Sequence, residues 1–334
     1  MADTSHIVAI GGGGGATQVL KAAQPLADRL TAIVAVTDTG RSTGLARAIG
    51  GIPAPGDLRA TIASFASDPL IAELLQHRFN GAGIPQLEGM AFGNLLIAAL
   101  AQVLGDFDAA VQHVARLAGC SANVLPVATA NTDICAELTD GTIVAGELHV
   151  RGLHKPPIQR LFLREPAAAN PAALAAIRSA DLLVIGPGSL FTSLLATLIF
   201  GGIADAVRAC KGTVVYIGNT TTQPGQTDGY TARDHVARIA EALGPGAPHV
   251  ALINRSQGTD AELARYAADG VFLLQPDDAE IAAIRRLGVE PIVRDFSEPS
   301  GARRELWNKQ DTVRHDSAAL GIALKELLMR SSPL

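Results

Sequence analysis

Residues 7–20 read IVAIGGGGGATQVL: an apolar run, five consecutive glycines at 11–15, then a segment with helical spacing. Each ordered glycine costs roughly 0.5–1 kcal/mol more backbone entropy than alanine, so something must offset the run. A phosphate site would do so. Bare backbone lets an anion approach the free amides at a helix start, where the helix dipole adds about 0.3–1 kcal/mol. A plain strand-to-helix turn needs only one or two glycines, which favours the anion site. GGGGGA also satisfies GxGxxG/A, although five glycines satisfy almost any spacing.

Working outward, residues 6–10 read as a buried strand, 16–29 as a helix and 30–36 as a second β-branched strand ending at Thr37 and Asp38. That is a βαβ unit. TDTGRSTGLARAIGGIPAPGD follows as a Gly/Ser/Thr/Pro loop, and about 58–120 reads as a mainly helical insertion. Around LTDGTIV the pattern predicts a hairpin whose strands carry ICAEL and IVAGELHV. Beyond a Pro-rich linker, ADLLVIGPGSLFTSLLATL and GTVVYIGNTTTQPGQTDGYTARDHV each restore strand, turn and helix. HVALIN, AELARYAADG, GVFLL and a helix at about 317–329 complete the alternation. The expected fold is α/β, a three-layer αβα arrangement with a Rossmann-like, mostly parallel sheet, forming a single domain over 5–330.

Composition narrows the function. The chain has 334 residues, a net charge of −5, 48% apolar and 4% aromatic residues, so it lacks both the basic footprint and the stacking platforms of a nucleic-acid binder. MADTSHIVAI carries an acid where a signal peptide is basic, and the longest apolar stretches fall short of the ~20 residues of a membrane span. Cys120, Cys135 and Cys210 are odd in number and without CxxC, as expected of reduced thiols in a cytoplasmic protein. No HExxH or Cys/His cluster points to a metal.

Four loops carry candidate chemistry. The first is the glycine run. In the second, Asp38 offers an acceptor while Thr39, Ser42, Thr43 and Gly44 offer donors around an anion; PAPGDLRA adds Asp57, a helix N-cap or a functional acid, and Arg59, which pairs either Asp57 or a phosphate. The third, Gly186, Gly188 and Ser189 with Thr192 one turn on, is a second anion cradle. The fourth, GNTTTQPGQTDG, supplies Asn219, Thr222 and Gln223 for hydroxyls. If their strands are parallel, all four loops leave one sheet edge and converge on a ligand with phosphate and polyol groups.

These segments in order, together with LLQHRF, FGNLLIAAL and VRHD, resemble the 2-phospho-L-lactate transferase superfamily, in particular its bacterial gluconeogenesis-factor branch, over about residues 6–316. The resemblance implies a homodimer that binds a UDP-sugar or related nucleoside-diphosphate conjugate and regulates carbon flow toward the cell wall. In that reading Gly11, Gly12, Gly13, Gly14 and Thr17 form the first phosphate turn and Gly186, Gly188 and Ser189 the second. Asp38 and Asn219 hold hydroxyls, Asn94 lies in the ligand set, and Tyr266 and Arg314 either close over base or sugar or serve as a half-buried helix residue and a helix-entry salt bridge to Asp316 or Asp311, respectively. The transferase branch of the family works with magnesium on a guanosine diphosphate conjugate, so an enzyme built here would use Asp38 and Asp57. Thr39 stands where the family commonly has a second acid, which weakens a Mg2+ site, and Arg41 replaces a glycine and adds a phosphate-pairing cation. GxGxxG/A with Asp38 alone would suit a nicotinamide dehydrogenase, but no proton relay is evident.

Overall fold

A computed structural model describes residues 5–80, 83–85, 87–256, 258–298 and 313–331. The strands are β1 (His6–Gly11), β2 (Arg29–Val34), β3 (Asn123–Pro126), β4 (Ile134–Leu138), β5 (Ile143–Ala145), β6 (Ile158–Leu163), β7 (Leu182–Ile185), β8 (Thr213–Ile217), β9 (Val250–Asn254) and β10 (Glu290–Arg294). Seven of them form one sheet in the order β10-β9-β8-β7-β1-β2-β3, every neighbouring pair parallel. β1, β7 and β9 are buried at every residue, as befits a parallel sheet covered on both faces by helices. The two edge strands carry the prolines, Pro126 and Pro291, where a missing N–H harms the ladder least.

The chain runs from β1 out to β2 and β3 and returns to place β7 on the other side of β1. The strand order therefore reverses between β1 and β7, the crevice where open α/β sheets take ligands beyond their carboxyl ends. The fold class expected from sequence is the one found, a parallel α/β sheet accompanied by a small antiparallel one.

Several local expectations are corrected. The first helix, Gly13–Ala23, starts inside the glycine run and stops short of Arg29. The stretch expected to be a loop after β2 holds a helix, Arg41–Gly50, closed by Gly51 at φ +63°. Helices between β2 and β3 thus begin well before residue 58, continuing with Gly56–Ser64, Pro69–Gln76, Phe92–Leu104 and Phe107–Leu117. The hairpin is a three-stranded antiparallel sheet, β5-β4-β6, because the supposed linker contains β6. IVAGELHV does not run on as one strand: Gly146 at φ +87° breaks it, and Glu147–Val150 is a helical turn. GVFLL forms only an isolated bridge, Thr221 to Leu273, and the last strand of the sheet is β10.

Candidate functional site

The glycine run is explained first by packing. A Cβ on Gly15 would lie 1.7 Å from the Pro187 carbonyl oxygen, on Gly13 2.7 Å from the Asp57 carbonyl oxygen, and on Gly12 2.9 Å from Ser193 Oγ. Gly14 alone among these faces open space, with nothing within 4 Å. The turn after β1 is therefore wedged against the turn after β7 and against the helix Gly56–Ser64. β1 is tied to both neighbours at its end, since Gly186 N–H donates to the Ile10 carbonyl and Ala35 N–H to the Gly11 carbonyl, each at 2.9 Å.

Asp57 is not the cap of its own helix, whose N-cap is Pro55. It caps the first helix across the fold: Gly13 N–H donates to Asp57 Oδ2 at 2.8 Å. A carboxylate at a helix N-terminus satisfies an orphan amide and complements the dipole, so the protein's own acid fills one of the places proposed for a ligand phosphate. The first turn of the helix also contains Gly14 and Gly15, and their side of it faces the cleft.

That cleft measures about 650 Å³. Its lining brings together all four loops: Gly12, Gly13 and Gly14 from the first, Asp38 and Asp57 from the second, Gly188, Ser189 and Thr192 from the third, Thr222 and Gln223 from the fourth. Asp38 is shaped by a local turn, Gly40 N–H donating to its Oδ1 at 2.8 Å. After β7 the chain opens as a π-helix, Leu190–Leu195, with Leu194 N–H donating to the Ser189 carbonyl at 3.0 Å; such widened turns recur at functional sites. Thr192 Oγ1 donates to Ser189 Oγ at 2.9 Å and Ser189 Oγ to Gln226 Oε1 at 3.0 Å, a hydroxyl–amide chain along one wall.

Other candidates lie elsewhere. Arg59 is buried in the helical layer, its Nε donating to Asn94 Oδ1 at 3.1 Å and its Nη1 to the Leu75 carbonyl at 3.1 Å and to Gln76. Burial lowers it to about 10, so it is charged at neutral pH but spent on internal partners. Ser42 Oγ accepts from Asn94 Nδ2 at 3.0 Å and Ala91 N–H at 2.8 Å. Thr43 packs where a Cβ on Gly56 would lie, and Gly44 lies against the Thr39 carbonyl. Thr17 Oγ1 donates to Thr61 Oγ1 at 3.2 Å, between two helices. Asn219 sits under the GPGS turn, its Nδ2 donating to the Gly188 carbonyl at 2.9 Å and its Oδ1 accepting from Tyr216 at 3.2 Å. Gly11 and Gly186 shape their turns without lining the cleft. Tyr266 is half-buried on the helix Asp260–Ala268 beneath Arg265, whose Cζ is 5.0 Å from its ring. Arg314 offers its carbonyl to Glu298 N–H at 2.7 Å, and neither lines the cleft. The side chain of Arg41 lies outside the described residues.

Over residues 7–297 the chain matches the family described as 2-phospho-L-lactate transferase CofD. It belongs to that family. Within it, the chain is 35% identical over 330 residues to the gluconeogenesis factor of Bacillus subtilis, covering 98% of this chain and 99% of the relative. The gluconeogenesis factor of Halalkalibacterium halodurans is also 35% identical, with 98% of each chain covered. A crystal structure of a UPF0052-family protein from Bacillus halodurans superposes with a TM-score of 0.87 at 33% identity, covering 97% of this chain and 99% of that one. The family match stops short of Arg314 and His315, whose segment reaches back to the sheet through His315 Nε2 and the Gly218 carbonyl, 3.0 Å apart.

Sequence reasoning missed one wall of this CofD-family cleft. Glu147, Leu148, Arg151 and Leu153 line it from the segment after β5, along with Ser193 and Gln226. Read as a continuous strand, that segment gave no sign of facing the glycine turns; Gly146 and Gly152 flanking the turn were the available signal. Asp38 and Asp57 are hard oxygen donors of the kind magnesium takes together with ligand phosphates. No group of three or more His, Cys, Asp or Glu is gathered for a metal among the described residues. No described helix is long and apolar enough to cross a membrane.

Proposed function

We propose that the protein is a nucleotide-sugar-binding regulator of the gluconeogenesis-factor type, a homodimer that takes a UDP-sugar and links carbon metabolism to cell-wall supply and cell shape. The observation that carries this reading is the cleft at the β1/β7 reversal, where two glycine turns far apart in sequence touch and a hydroxyl–amide wall runs alongside. A diphosphate suits the glycine turns and the adjoining helix start. Ser189, Thr192, Thr222, Gln223 and Gln226 suit sugar hydroxyls and base edges. The curated relatives named gluconeogenesis factor point to the same class of role.

A second reading is a magnesium-dependent transferase moving a phospho-acyl group from a nucleoside-diphosphate donor to an alcohol. It is favoured by the presence of both Asp38 and Asp57 in the cleft and by the family's description. When bound with the donor, magnesium would offset diphosphate charge; Asp38 and Asp57 would hold it, and the glycine turns would orient the phosphates.

A thermal-shift panel of UDP-N-acetylglucosamine, UDP-glucose, GDP, GTP and NAD, with and without magnesium, tests the choice. Stabilisation by a UDP-sugar without release of nucleotide is the expected result. Stabilisation by NAD alone contradicts both readings, while nucleotide release in the presence of an alcohol acceptor favours the transferase.

A further inference from the structure

The lining of the cleft contains three carboxylates, Asp38, Asp57 and Glu147, and a single cation among the described residues, Arg151. A diphosphate brings further negative charge into this wall, so its affinity depends on that guanidinium. Arg151 is held where it can act. Its Nη1 lies 3.2 Å from Glu147 Oε1 across one helical turn, its backbone N–H donates to the Glu147 carbonyl at 2.9 Å, and its side chain is only one-quarter exposed. The loop after β8 braces it from behind. A Cβ on Gly225 would fall 2.5 Å from the Gly152 carbonyl oxygen and 3.0 Å from that of Arg151, and Lys155 Nζ donates to the Gly225 carbonyl. Beside it Leu148 and Leu153 line the cleft while 50% and 56% exposed, apolar surface that a bound ligand would cover.

We propose that Arg151 is the phosphate-pairing residue of the cleft, and that Glu147 is its resting partner, which a ligand diphosphate displaces or shares. A guanidinium carries five N–H donors in a planar fork and meets phosphate bidentately. Glu147 keeps the guanidinium ordered before ligand arrives, lowering the entropy lost on binding. The inference rests on the cleft being a diphosphate site. It assigns the charge recognition to the wall built by the segment after β5, not to the glycine turns alone.

The test is calorimetric titration of the full chain with UDP-N-acetylglucosamine, UDP and inorganic pyrophosphate, comparing wild type with Arg151→Met, Arg151→Lys and Glu147→Gln in the same buffer. Arg151→Met should weaken UDP and pyrophosphate by about 10- to 100-fold, the range of a charge-assisted hydrogen-bonded pair. Arg151→Lys should recover part of that loss, and Glu147→Gln should tighten both ligands. Unchanged affinity in Arg151→Met overturns the proposal. Should that variant fail to fold, Glu147→Gln decides, and unchanged or weaker pyrophosphate binding overturns it. Arg151-dependent binding of pyrophosphate without any binding of the UDP-sugar supports the inference and removes the UDP-sugar reading. UDP-sugar binding that is equal in wild type and Arg151→Met does the reverse, and a wild type that binds none of the three ligands removes both.

Discussion

Gly14 and Gly15 are adjacent and chemically identical, yet their surroundings make opposite demands. Gly14 points into the cleft with nothing within 4 Å of its Cβ position, whereas Gly15 abuts the Pro187 carbonyl. Gly14→Ala is expected to leave stability unchanged or raise it by about 0.4–1 kcal/mol, since the site is already helical. Gly15→Ala should cost about 1–3 kcal/mol or more, because the GPGS turn must move. Urea melts of the two variants decide this; equal effects would contradict the packing account. Asp57→Ala should cost about 0.5–2 kcal/mol through the lost cap on Gly13 N–H, with Asp57→Asn falling between wild type and Ala in the same melts. A sequence reveals that glycines cluster, but not which carbonyl each one is pressed against. The glycine-rich turn was legible, and its division into packing and binding positions was not. Arg59 and Asn94 show the same limit. Their residue types suit phosphate or hydroxyl contact, and only the placement of the helices reveals that they bond to each other.

At the scale of elements, Arg47 on the helix Arg41–Gly50 ties the stretch after Asp38 to residues 131–133, which lead into β4. This guanidinium is largely buried, pairs with Asp133 at 2.9 Å, donates to Asn131 Oδ1 at 2.7 Å and to the Thr132 carbonyl at 3.2 Å, and reaches the Asp38 carbonyl at 3.4 Å. It joins the Asp38 side of the cleft to the approach to β4, whose partner β5 leads into Glu147 and Arg151. Arg47→Met leaves Asp133, among the described residues, with the longer ion pair to Arg164, at 3.4 Å, and should destabilise by about 2–3 kcal/mol. Denaturant melts measure the loss; a change below about 0.5 kcal/mol, the size of an exposed pair, would contradict it. The parallel strands were legible because apolar β-branched runs ending in glycine turns have few other readings. β6 and the turn at Glu147–Val150 were not, since a Pro-rich approach hid the one and a continuous alternating pattern hid the other.

Across the whole molecule, the C-terminal segment closes onto the sheet through a buried imidazole. Burial lowers His315 to about 4 and so keeps the ring neutral, while the Gly218 carbonyl, 3.0 Å from Nε2, places the ring proton on that nitrogen. A histidine depressed from about 6.5 in the unfolded chain contributes stability that is complete above pH ~6.5. That contribution is lost as pH falls from there to about 4, on the order of 3 kcal/mol in all. His6 and His235 are lowered by burial in the same direction. His315→Gln should flatten the stability profile between pH 6.5 and 4, measured by urea midpoints at each pH; an unaltered slope would contradict the assignment.

Whether turns distant in the chain meet at the β1/β7 reversal to hold a diphosphate is decided by a crystal structure of the protein with UDP-N-acetylglucosamine. Phosphate oxygens are expected against Gly14, Gly15 and the Arg151 guanidinium, with the sugar or base along Ser189, Gln223 and Gln226. A ligand seated elsewhere, such as the groove between β6 and Leu198–Gly202, would contradict it.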